Sequence, residues 1–360
     1  EFLLRMTRFH IIDILLLHIV GSFKCTKNKI ARNDKMKRNE NEPKRDKTGL
    51  NQYKNKSIRN KSESNQYKNK STQYKAIFFA ILAAALYAIS TPVSKLLLEE
   101  IPPKLMAAFL YLGAGFGMFV IGLLKKKSNF NKQIENCELS LSRQELPYII
   151  GMVVLDIAAP IFLMIGLTLT TSSNASLLNN FEIVTTSLIA LFIFKEMISK
   201  RLWIAIILIT LSSMILSYED ITSLSFSYGS ILVLLACVCW GFENNCTRKL
   251  SVKDPLEIVV IKGFGSGLGS LIIALSLGDR VSNLSYTLAA FILGFFSYGL
   301  SIFFYIYAQR DLGAAKTSAY YAISPFIGVG LSLIIYREIP SASFIIACVI
   351  MMIGTYFAST

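Results

Sequence analysis

Four ionisable side chains interrupt stretches of sequence that are otherwise apolar: Asp156, Glu182, Glu243 and Lys262. A charge at the centre of a bilayer costs about 2.5–3.5 kcal/mol on insertion scales, so a chain that keeps such groups is expected to use them. The carboxylates could engage an amine or carry a proton, and Lys262 could pair with Glu243 or Asp156. Asp156 and Glu182 fall near the middle of their apolar stretches. Glu243 falls nearer one end, where it could snorkel to the interface. Helical spacing adds neutral partners. Ser176, Asn179, Glu182 and Thr186 recur at steps of three or four, on one face. Trp240, Glu243, Asn244 and Thr247 line up in the same way, as do Tyr87, Ser90, Thr91 and Ser94. Two further strips are Thr317, Tyr321, Ser324 and Gly328, and Tyr298, Ser301 and Tyr305. Turned toward one another, these faces would line a polar and aromatic cavity fit for a small zwitterionic or amphipathic solute. The competing structural reading makes the Ser, Thr and Asn residues hydrogen-bonding glue between packed helices. Pro92 and Pro325 would kink helices beside the cavity.

The elements that must position these groups are membrane spans. From Ala76 onward, ten apolar stretches have the length needed to cross the hydrocarbon core: 76–98, 104–124, 147–168, 173–194, 202–218, 228–247, 256–277, 286–308, 314–336 and 341–358. The separators at 168–173 and 308–314 are very short. Charge divides the chain in two. Residues 1–75 hold 19 Lys+Arg and 7 Asp+Glu, a net of +12 out of the total of +14. This arm is polar and carries a direct repeat, Asn-Gln-Tyr-Lys-Asn-Lys-Ser at 51–57 and 65–71, so disorder is expected. Its functional reading is attraction to anionic lipid, at roughly 1 kcal/mol per basic residue near the surface. Nucleic-acid binding is not expected, because no recognisable module accompanies the charge. The body from 76 onward nets only +2. Short loops leave it no room for a soluble catalytic domain. With the arm cytoplasmic, inside loops carry 13 basic residues and outside loops only Lys104, Arg280 and Arg337. That asymmetry places both termini in the cytoplasm, in a multi-pass protein of the plasma or inner membrane.

The body also matches itself. Asn174–Glu196 and Lys316–Glu338 align at a constant offset of 142, each ending in a basic-Glu pair, Lys195-Glu196 and Arg337-Glu338. The first spans of each half align at an offset of 153, bringing Tyr87 opposite Trp240 and Lys95 opposite Arg248. The halves are 76–218 and 228–358. Five spans is an odd number, so the second half enters from the opposite side. The fold expected is all-α and integral to the membrane: ten helices as two inverted five-helix repeats, with a substrate site between the halves.

These features resemble the drug/metabolite transporter superfamily, specifically its EamA-type members. The resemblance rests on the ten short spans, the two five-span halves, the Trp240-Gly241 pair and the Pro325…Glu338 pattern, and it covers 76–358. It implies a small-metabolite transporter, commonly an exporter of amino acids or related compounds. The first half departs from the second, with Ile183 opposite Pro325 and Tyr87-Ala88 opposite Trp240-Gly241.

Other motifs are better read structurally. Gly263, Gly265, Gly267 and Gly269 follow no strand, and with Gly113, Gly115 and Gly117 they suit close helix packing. Cys237, Cys239 and Cys246 share one span without zinc-ligand spacing. His10 and His18 both lie in the arm. No cofactor is expected and no enzyme activity. The function expected is alternating-access transport of a small molecule, with protons as the coupling ion through Asp156 or Glu182. The alternatives are an intramembrane enzyme acting on a lipid-linked substrate, or a membrane scaffold or receptor without transport.

Overall fold

A computed structural model describes residues 73–129, 141, 143–195, 197–220, 225–250, 253–281, 283–312, 317 and 320–359. The basic arm up to residue 72, Lys132, Glu196, Lys316, Cys25, Cys137 and both histidines lie outside the described residues.

Apolar composition and the obligation to satisfy every backbone group inside the segment make helices the answer throughout. Nine helices among the described residues are long and apolar enough to cross a membrane. They are α1 (Gln73–Leu97), α2 (Pro103–Leu124), α3 (Arg143–Leu169), α4 (Ser172–Phe192), α5 (Lys200–Ser217), α6 (Tyr228–Leu250), α7 (Pro255–Ser276), α8 (Leu284–Gln309) and α10 (Ala342–Ser359). Between the last two lies α9 (Ser324–Tyr336), apolar but only 13 residues long. Residues 317, 320 and 321, just before it, are also helical. A two-stranded antiparallel pair, β1 (Tyr218–Asp220) and β2 (Ser225–Phe226), joins α5 to α6.

Large apolar side chains point outward on many helices, among them Ile207, Ile272, Ile292, Ile334 and Ile345. In water these would form an untenable surface; in a bilayer they meet lipid. Inward packing follows the small residues. α2 lies against α7, where a side chain added at Gly115 would meet the Phe264 amide at 2.8 Å. One added at Gly263 would strike the Gly115 backbone. The glycine strips are therefore a helix seam, as the spacing suggested. The other main pairings are α3 with α6, α2 with α8, α5 with α10, α4 with α6, and α4 with α9. Hydrogen bonds reinforce the α5–α10 and α4–α9 pairings: Ser212 donates to the Ala347 carbonyl at 2.6 Å, and Ser172 and Ser332 join hydroxyls at 2.8 Å. α1 meets α8 through Ser301, which donates to the Ala83 carbonyl at 2.8 Å, and through Phe79 stacked on Phe304.

Several helices are interrupted. α4 breaks into Ser172–Leu178 and Phe181–Phe192, with turns at Asn179 and Asn180. The approach to α9 breaks at 322–323, two residues before Pro325. α1 has a turn at Ile89, three residues before Pro92. α8 widens into a π-helix over Phe295–Leu300, a geometry often found at functional sites. Both prolines thus adjoin a break, as their positions suggested.

A carboxylate and tyrosine site among four interrupted helices

Two polar clusters occupy the interior. In the first, Lys262 on α7 forms ion pairs with Asp156 on α3 at 3.2 Å and with Glu243 on α6 at 2.9 Å. The three side chains are almost wholly buried. Tyr111 on α2 donates to the other Asp156 oxygen at 2.9 Å, and Thr247 donates to Glu243 from one turn away. Lys262 therefore takes both partners that the sequence offered as alternatives. Glu243 does not snorkel, since it turns inward to Lys262. An ammonium held between two carboxylates offsets more of the desolvation cost than water at a crowded interface could.

The second cluster centres on Glu182, at the start of the second segment of α4. The Asn244 amide on α6 donates to one Glu182 oxygen at 2.5 Å and lies 3.3 Å from the Thr186 hydroxyl. Asn245 also reaches α4, donating to the Thr186 carbonyl, and donates to the Gly241 carbonyl of its own helix. The strip of α6 thus divides: Glu243 and Thr247 face Lys262, while Asn244 faces α4. Periodicity placed these residues on one side of a helix but could not say that two neighbouring helices share that side.

Tyrosines connect the clusters. Tyr111 lies 5.1 Å from Tyr298, and Tyr298 lies 5.7 Å from Tyr87, both ring to ring. Tyr87 is 5.8 Å from Tyr321, and Tyr321 is 4.9 Å from Tyr305. Tyr87, Tyr298 and Tyr321 all lie within electrostatic reach of Glu182. Tyr111 was not singled out by the sequence, because an isolated tyrosine in an apolar span carries no periodic signature. Trp240 is buried in the main apolar cluster and joins none of these ring pairs.

Neutral polar atoms stand unpaired around the break in α4. Asn179 Oδ1, both amide atoms of Asn180 and the Ser176 and Ser324 hydroxyls are buried without a hydrogen-bond partner among the described residues. Ser176 also approaches Gly328 of α9, where an added side chain would sit 3.1 Å from its hydroxyl. Unpaired buried polar groups cost about 1–3 kcal/mol each, which a purely structural interface would not retain in such number.

A third group of contacts closes one end of the bundle. Lys95, near the end of α1, donates to the Leu167 and Thr170 carbonyls at 2.5 and 3.0 Å, covering the end of α3. Ser173 donates to Glu338 at 2.5 Å, and Tyr336 donates to the Pro92 carbonyl at 2.8 Å. Lys195 and Arg337 both adopt positive φ, at 55° and 51°. They occupy matching places in the 142-residue repeat, so the match extends to an uncommon backbone conformation.

Comparison with known proteins agrees with this picture. Residues 74–218 and 227–360 match the EamA-like transporter family. An "uncharacterized transporter" from Methanothermobacter thermautotrophicus is 28% identical over 290 residues, covering 77% of this chain and 83% of its own length. The "uncharacterized transporter YyaM" of Bacillus subtilis is 22% identical over 205 residues, covering 54% of this chain and 67% of its own. A protein crystal structure superposes with a TM-score of 0.57 at 15% identity, over 79% of this chain and 95% of that one, a likeness of fold alone.

Proposed function

Since the chain belongs to the EamA-like transporter family and is a multi-pass membrane transporter, we propose that it moves a small metabolite, an amino acid or related compound, across the cytoplasmic membrane by alternating access. Net export is the direction proposed, with a proton as coupling ion. The proposed architecture is ten spans in two inverted halves, 76–218 and 228–358, with α9 and the helical residues before it as the ninth crossing. Basic residues concentrated in alternate loops support cytoplasmic termini.

One observation carries the reading. α4 and the approach to α9 are broken at 179–180 and 322–323, places that correspond within one residue across the 142-residue repeat. Discontinuous helices at a repeat interface are where secondary transporters hold substrate, because freed backbone and side-chain polar groups there can meet a solute. Glu182, Asn179, Asn244, Tyr87, Tyr298, Tyr321 and Ser324 would bind it. The Lys262–Asp156–Glu243 cluster would hold α3, α6 and α7 together as one body, and Pro92 and Pro325 would mark the hinges. Asp156 or Glu182 would carry the proton. The pairings α4 with α9, α5 with α10 and α2 with α7 join equivalent helices of the two halves, which supports a two-fold axis in the membrane plane. The contacts of Lys95, Ser173 and Tyr336 would seal the outer end, leaving the site open toward the cytoplasm.

The test is efflux from proteoliposomes loaded with a labelled mixture of amino acids, amines, nucleosides and sugars, followed by mass spectrometry. Wild-type protein should release at least one solute faster than protein-free vesicles, and Glu182→Gln should slow that release at least tenfold. Release of nothing by wild type would overturn the transport reading.

A further inference from the structure

We propose that the site around Glu182 takes a protonated primary amine lacking a carboxylate; this rests on the transport reading above and narrows its substrate. Charge balance is the first reason. Lys262 is engaged by both Asp156 and Glu243, a cluster that still nets one negative charge, so its ammonium is already committed to two carboxylates other than Glu182. Among the described residues, the Glu182 carboxylate has one hydrogen-bond donor, the neutral Asn244 amide, and no ion pair. A carboxylate in this position attracts a cation that the protein does not itself supply.

The second reason is the direction of the unpaired groups. Asn179 lies three residues before Glu182, on the same side of α4, and its buried Oδ1 lacks a donor. The Ser176 hydroxyl, one further step along, is also buried and unpaired. The Asn179 oxygen and the Ser176 hydroxyl can each accept from a ligand that carries several N–H donors. A primary ammonium has three, whereas a quaternary ammonium has none and would leave Asn179 unsatisfied. Third, Tyr87 pairs ring to ring with Tyr298 and with Tyr321, all three within electrostatic reach of Glu182, and aromatic rings attract a cation within about 6 Å of a ring centroid.

The same inventory argues against an α-amino acid. Its carboxylate would need a basic partner or free backbone N–H groups, and the Glu182 and Ile183 amides just after the break in α4 already donate to the Asn179 and Asn180 carbonyls. Within the described spans Lys262 is occupied, and Lys95 is committed to carbonyls at the closed end. An amine that keeps the side chain and loses the carboxylate fits the donors and acceptors present.

The experiment is isothermal titration of the purified full chain in detergent with benzylamine, benzyltrimethylammonium, benzyl alcohol and phenylalanine, each also run as counterflow in proteoliposomes. Benzylamine should bind at least tenfold more tightly than the other three. Glu182→Gln should weaken it at least tenfold at an unchanged melting temperature, and Glu182→Asp should recover part of the loss. Equal or tighter binding of phenylalanine, benzyl alcohol or benzyltrimethylammonium overturns the amine assignment. Benzylamine binding that ignores Glu182→Gln overturns it as well. Counterflow of phenylalanine without benzylamine would leave the transporter intact and the amine wrong. If no probe binds, the amine assignment falls, and the broad solute screen decides transport by itself.

Discussion

Replacing Lys262 with Met is the sharpest perturbation of the interior. The side chain keeps its length and loses its charge, leaving Asp156 and Glu243 facing each other where the ammonium held them at 3.2 and 2.9 Å. At an effective dielectric of about 20, unit charges at such separations attract by about 5 kcal/mol per contact. Desolvation offsets much of that, and removing one partner of a buried pair costs about 3–5 kcal/mol net. For a body of this size that corresponds to a fall in melting temperature of roughly 6–15 °C. Asp156→Asn should cost much less, about 1–2 kcal/mol, because Asn keeps the oxygen that accepts from Tyr111 and leaves Lys262 paired with Glu243. The double variant Lys262→Met/Glu243→Gln should recover part of the loss, since one of the two opposed charges is gone. Thermal melting followed by tryptophan fluorescence and size-exclusion chromatography in detergent, at pH 6 and pH 8, supplies the comparison. The Lys262→Met deficit should be larger at pH 8, because two carboxyls repel only when both are ionised. A Lys262→Met protein that melts within about 2 °C of wild type, or an Asp156→Asn protein that melts lower than Lys262→Met, would refute the view that Lys262 clamps three helices.

Other expected outcomes follow from the same contacts. Gly115→Leu should abolish the monodisperse peak on size exclusion, because the α2–α7 seam has no room for a side chain and overpacking typically costs about 1–3 kcal/mol even where backbone can yield; the exposed control Phe116→Leu should not. Lys95→Met, which frees the Leu167 and Thr170 carbonyls, should raise labelling of a Ser173→Cys reporter from outside at least threefold in vesicles. Pro325→Ala should slow transport while changing stability by less than about 1 kcal/mol, since Pro near a helix start removes no intrahelical hydrogen bond; transport rate and melting temperature together check this.

Much of the fold could be read from composition, because a bilayer permits few solutions to backbone hydrogen bonding. Nine of the ten apolar stretches became helices within a few residues of their expected limits, whereas the ninth, expected over 314–336, is a described helix only over Ser324–Tyr336; the short separator at 168–173 is real, with α3 ending at Leu169 and α4 beginning at Ser172. Stripe spacing put Glu182 and Thr186 on one helix face, and the Asn244 amide reaches both. It failed on α6, where one face serves two neighbours. Glu243 looked interfacial from its depth alone. Only the position of Lys262 on a different helix explains why it stays buried, and a pairing across 19 residues on two helices leaves no periodic trace. The break in α4 was equally hidden. Asn179-Asn180 is a weak helix former, but its tertiary surroundings decide that the chain turns there.

The most direct measurement needs no knowledge of the substrate. Ser90 on α1 is buried next to Tyr298, at the site proposed for the solute. In protein whose native cysteines are replaced, Ser90→Cys should react with a membrane-impermeant thiosulfonate both in right-side-out and in inside-out vesicles, because alternating access exposes the site to each side in turn. Labelling from one side alone, or from neither, would contradict it.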